Sequence, residues 1–147
     1  MKNQIVSHYK QLIQDRIDIF QDMIADLTVD AQNDAKGSGG DKHETALSMM
    51  HLEQEKLNHK LQEIYAHKQV LDQIDPLAVH QKVALGSVVL TNGMWLFMSA
   101  ALPKITVDQK TVFALSPQSP LGSLLMGQSI GAVVSVHDKS YTIEQVL

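Results

Sequence analysis

Lys36-Gly37-Ser38-Gly39-Gly40 decides how the first half of this chain is organised. Each glycine inside a helix costs roughly 1 kcal/mol relative to alanine, so three within four residues break one. Helical patterns nevertheless run up to this stretch and away from it. Before it, Val6, Ile13, Ile17, Phe20, Ile24, Leu27 and Ala31 recur mainly at steps of four and three. After it, Leu47, Met50, Gln54, Leu57, Leu61, Ile64, Lys68 and Leu71 do so throughout. Both sets keep a seven-residue repeat, which predicts the seam of a coiled coil, weakened at the polar positions Gln54 and Lys68. The simplest arrangement is an antiparallel helical hairpin bending near residues 35–41. Each arm of roughly 30 residues would be about 45 Å long, at 1.5 Å per residue.

Further along, Asp75-Pro76 ends the second helix, because proline pushes its predecessor out of the α region. Residues 1–75 therefore read as the hairpin and residues 76–84 as a linker. Residues 85–147 read as a β-rich domain, since the period changes from Gly86 onward. Val88-Val89-Leu90 and Trp95-Leu96-Phe97-Met98 read as strands, and Asn92-Gly93 between them is a strong hairpin signal. Ile105-Thr106-Val107 and Val112-Phe113-Ala114-Leu115 are further strands. Ser119-Pro120 opens a short helix, with serine as N-cap and proline at the first helical position. Its Leu121, Leu124 and Leu125 are expected to be buried on the sheet, and Gly127 ends it. Ala132–Val136 and Tyr141–Ile143 close a last hairpin across His137-Asp138-Lys139-Ser140. The fold class expected is α+β.

The formal net charge of −4 argues against independent binding to duplex DNA, which needs a basic patch. The acidity belongs to the first half: residues 1–75 hold 8 Lys+Arg against 13 Asp+Glu, and residues 76–147 hold 4 against 3. No apolar run is long enough to span a membrane, and the charged start has no apolar signal core. With no cysteine in the chain, a reducing cytoplasm is the expected location.

Two motifs carry a family resemblance across nearly the whole chain. Ser119-Pro120-Leu121-Gly122-Ser123-Leu124-Leu125-Met126-Gly127, continuing through Gly131 to Val134, resembles the C-terminal signature of the Gre transcript-cleavage factors. Gly40-Asp41-Lys42-His43-Glu44 resembles the Gly-Asp-x-x-Glu at the tip of the Gre coiled coil. The resemblance implies an FKBP-like C-terminal domain that docks on RNA polymerase at the rim of its secondary channel. Ser119, Pro120, Leu124, Gly127 and Gly131 carry that docking signature. It further implies a coiled coil entering the channel. There Asp41 and Glu44 would help hold a Mg²⁺ shared with the polymerase, so that a metal-activated water cuts backtracked RNA near its 3′ end. Paired carboxylates suit a hard dication, and a second metal stabilises attacking and leaving oxygens. On this reading the protein is not itself an enzyme and holds no cofactor alone.

The sequence departs from the family where Glu44-Thr45-Ala46-Leu47-Ser48 replaces the usual Glu-Asn-Ala-Glu-Tyr. Asp18, Asp22, Asp26, Asp30 and Asp34 recur at steps of four where a basic coil face is usual. Such a stripe repels phosphate, or is simply a solvated face. Both departures favour an alternative: a secondary-channel binder that regulates transcription without cleaving. Locally, Asp41 as N-cap with Glu44 three residues on is also a capping box. More distant alternatives are an isomerase or chaperone of FKBP type and a structural coiled-coil protein. Histidines 43, 51, 59 and 67 advance by eight residues, about 80° beyond two turns, and so do not converge on a zinc ion.

Overall fold

The two helical patterns fold as α1 (Lys2–Gly37) and α2 (Gly40–Asp72) in a computed structural model. It describes the backbone of residues 1–37 and 40–147 and the side chains of residues 1–30 and 44–147. The chain divides into two compact units: Gln11–Lys68, and Met1–Lys10 together with Gln69–Leu147.

In the first unit the helices pack together antiparallel. Gln21 Nε2 donates to Tyr65 Oη at 3.0 Å, and Gln54 Nε2 donates to Thr28 Oγ1 at 2.9 Å. Partners from later in α1 thus meet residues from earlier in α2. The buried face is the one the repeat specifies. Ile13, Ile17, Leu61 and Ile64 are buried, and Phe20, Ile24, Leu27, Leu47, Met50 and Leu57 are half-buried. Gln54 is accommodated because Thr28 accepts its amide while donating to the Ile24 carbonyl at 3.1 Å. A paired polar group at a seam position escapes most of its desolvation cost. Ala31 and Asp34 lie outside the residues whose side chains are described.

The second unit is built on a six-stranded mixed sheet. Its strands are β1 (Val88–Thr91), β2 (Met94–Met98), β3 (Ile105–Val107), β4 (Lys110–Leu115), β5 (Val133–Val136) and β6 (Lys139–Val146). They lie in the order β3-β4-β2-β1-β6-β5, with β2 and β4 parallel and the other neighbours antiparallel. One short helix, α3 (Pro120–Leu125), follows β4. The central strands are apolar at consecutive positions because both faces are covered. Val89, Leu96, Met98 and Ile143 form one core with Leu125 of α3 and Val83. On the opposite face, Phe97 stacks on Tyr9 of α1 with ring centroids 5.7 Å apart. Tyr9 Oη donates to the Pro103 carbonyl at 2.6 Å. Ile5, Val6 and Leu71 are buried in the same unit, and Ile74 packs on Gly86, where a Cβ would come within 2.8 Å of its Cγ2.

Three two-residue turns join antiparallel strands, each with positive φ at both central residues. They are Asn92-Gly93 (49° and 75°), Asp108-Gln109 (49° and 64°) and His137-Asp138 (51° and 62°). This is the hairpin geometry that matches strand twist. The last turn is shorter than the sequence reading, because Lys139 and Ser140 already pair with Val136 and Ser135 inside β6. The segment read as a linker is tied down at its end. Val83 is buried, its N–H donating to the Gln128 carbonyl and its carbonyl accepting from Gly127, both at 2.8 Å.

Candidate functional site

The Ser119–Gly131 stretch forms a tightly specified helix entry. Ser119 has extended backbone (φ −68°, ψ 159°), and its Oγ accepts from the Gly122 N–H at 3.0 Å. The same hydroxyl donates to the Ser116 carbonyl at 2.7 Å, using both its donor and an acceptor position. Pro120 occupies the first helical position, where its missing N–H has no role. Gly122 is buried, and a Cβ there would collide with the Ser116 carbonyl oxygen and sit 2.7 Å from Ser119 Oγ. Gly127 and Gly131 take φ values of 79° and 91°, which a side chain would strain. Gly131 donates to the Ile143 carbonyl at 2.9 Å and so leads the chain back into the sheet.

Leucine burial on α3 differs from the expectation at one residue. Leu125 is fully buried and Leu121 packs against the core, but Leu124 is 44% exposed. At about 100° per residue, Leu121, Gly122 and Leu125 cluster on one face, and Leu124 lies roughly 100° away from its centre. Leu124 is thus the leucine of α3 placed at the surface. Exposed Ile130 and Val133 follow it in the chain.

The other candidate site lies at the start of α2, which begins at Gly40. Asp41 therefore falls in the first turn rather than ahead of it, and its side chain lies outside the described ones. Glu44 is exposed. Among the described residues no group of three or more His, Asp or Glu side chains could hold a metal ion. Magnesium takes near-octahedral oxygen ligands, so a pair of carboxylates fits an ion only if a partner and water complete the shell. Asp18, Asp22, Asp26 and Asp30 are all exposed on α1. Asp41 and Glu44 belong to one compact unit, and the Ser119–Gly131 signature belongs to the other.

Sequence reasoning missed the start of α1 as part of the sheet-bearing unit. Ile5, Tyr9 and the nearly buried Lys2 carry it. The signal was present as Ile5 and Tyr9 at a step of four, but it merges with the seam pattern that begins at Val6. Burial pushes the Tyr9 hydroxyl up to about 12.

The chain matches no model of a known protein family and no characterised protein. Among the described residues no helix is long and apolar enough to cross a membrane.

Proposed function

We propose that this protein is a Gre-type transcription elongation factor that binds RNA polymerase at its secondary channel and promotes cleavage of backtracked RNA. On this reading the paired helices are a coiled-coil hairpin and the sheet-bearing unit is an FKBP-like docking domain, acting in the cytoplasm. The carrying observation is the Ser119–Gly131 signature, realised as a serine-capped helix with surface-exposed Leu124 on a mixed sheet. The helix pair preceding it, with exposed Glu44 near the start of α2, supports the same assignment.

Docking through the sheet-bearing unit would present the paired helices to the channel. Asp41 and Glu44 would then hold and orient a magnesium ion, with the polymerase supplying the remaining ligands. Such an ion stabilises charge on the phosphoryl oxygens during hydrolysis. Neither carboxylate forms an active site alone, so the chain would stimulate the hydrolytic activity of the polymerase.

The exposed Asp18, Asp22, Asp26 and Asp30 favour a second reading, a channel binder that regulates without cleaving. Leu47, where the family has its second Glu, is half-buried with the seam residues and adds no carboxylate. Cleavage in backtracked complexes separates the two. The first reading expects RNA shortening above the polymerase's own rate, lost in an Asp41→Asn/Glu44→Gln variant that still binds. Binding without added cleavage by the unmodified protein selects the second.

A further inference from the structure

Lys2 is the one lysine among the described residues that is nearly buried, at 8% exposure. Its ammonium meets three acceptors: the Ala78 carbonyl at 2.7 Å, His80 Nδ1 at 3.1 Å and the Leu147 carbonyl at 3.4 Å. One side chain thus ties the start of α1 to the Asp75–His80 segment and to the chain beyond β6. An ammonium has only donors, so His80 Nδ1 must accept. His80 is therefore neutral in this arrangement, with its hydrogen on Nε2. A proton on Nδ1 and the bond from Lys2 are mutually exclusive.

We propose that the Lys2–His80 contact is a proton-operated latch, closed while His80 is neutral and opened when His80 takes a proton. Protonation would remove the acceptor and set two cations 3.1 Å apart. Asp75, at the foot of α2, favours the Lys2 charge, whereas burial acts first and more strongly to lower the lysine's proton affinity. The Met1 amine adjoins Lys2, and Lys82 follows His80 two residues on and is exposed. Leu147 offers its carbonyl oxygen. Asp75 opposes the opening, and its carboxylate also accepts from the Leu77 N–H at 2.9 Å. The latch fixes Ala78 and His80 inward while Leu77 and Val79, at 80% and 86% exposure, point to solvent. Opening it would free this alternation.

The test uses the whole chain. Ring-nitrogen NMR at about pH 7.5 should show His80 as the Nε2–H tautomer, and the Nδ1–H form would overturn the proposal outright. Hydrogen exchange over residues 76–82, corrected for intrinsic rates, should quicken several-fold between about pH 7.5 and 5.5. His80→Asn, whose amide oxygen can accept from Lys2 without titrating, should remove that acceleration. Lys2→Met should exchange fast at both values. Unchanged protection of the unmodified protein in acid, or equal acid loosening in His80→Asn, would refute the latch. The tautomer measurement needs no variant and decides the question even if a substituted chain fails to fold.

Discussion

Gly122 shows how narrowly a single position in the signature is specified. Its Cα faces the Ser116 carbonyl and the Ser119 hydroxyl, and that hydroxyl caps α3. Gly122→Ala must push this turn open, at a cost of about 1–3 kcal/mol for an overpacked site. Thermal unfolding should fall accordingly, and an unchanged melting temperature would show that the turn has room. Tyr9 makes the second prediction at this scale. Its hydroxyl titrates at about 12 rather than 10 because it is buried, so the folded chain holds that proton longer than the unfolded chain. Its contribution is full below pH 10 and is lost as pH rises toward 12, a difference on the order of 2–3 kcal/mol. Tyr9→Phe should flatten this alkaline loss in denaturant titrations. At neutral pH it should cost about 1 kcal/mol by leaving the Pro103 carbonyl without its donor.

Among the elements, α3 separates what sequence spacing specifies from what only packing decides. Its start was legible, because a Ser-Pro pair has a local physical meaning that needs no partner. Which leucines face the core was not, since six residues make under two turns and period alone leaves the face open. The distinction is measurable. Leu125→Ala should cost about 2–5 kcal/mol, whereas Leu124→Ala should stay within about 0.5 kcal/mol. Equal losses in urea unfolding would place both side chains in the core. Turns follow the same rule. Asn92-Gly93 announced its hairpin, but Asp108-Gln109 and His137-Asp138 adopt the same positive φ without glycine, imposed by the strands on either side. Within the first unit the buried helical face was readable from the period, at Ile13, Ile17, Leu61 and Ile64, whereas Val6 and Leu71 of the same pattern belong to the sheet-bearing unit. Even polar Gln54 has a role on that helical face, through Thr28.

At the scale of the whole molecule, the sequence reading of three consecutive stretches, 1–75, 76–84 and 85–147, meets a chain whose first ten residues cluster with the sheet. Composition and period could not reveal this, because the α1 residues that meet the sheet share the spacing of those that meet α2. Tyr9 against Phe97 and Lys2 against Ala78 are contacts across most of the chain length, outside the reach of any local pattern. The candidate site was legible to a similar depth. Glycine positions and the serine cap could be read from sequence, but the surface placement of Leu124 needed the fold. Because the sheet-bearing unit includes residues 1–10, binding is best measured on the intact chain. The central claim is that this protein engages RNA polymerase, which both the cleaving and the non-cleaving readings require. Native mass spectrometry of the full chain mixed with bacterial core RNA polymerase tests it directly. A discrete complex with one copy of this chain per polymerase is predicted, and the absence of any complex at micromolar concentrations would contradict the account.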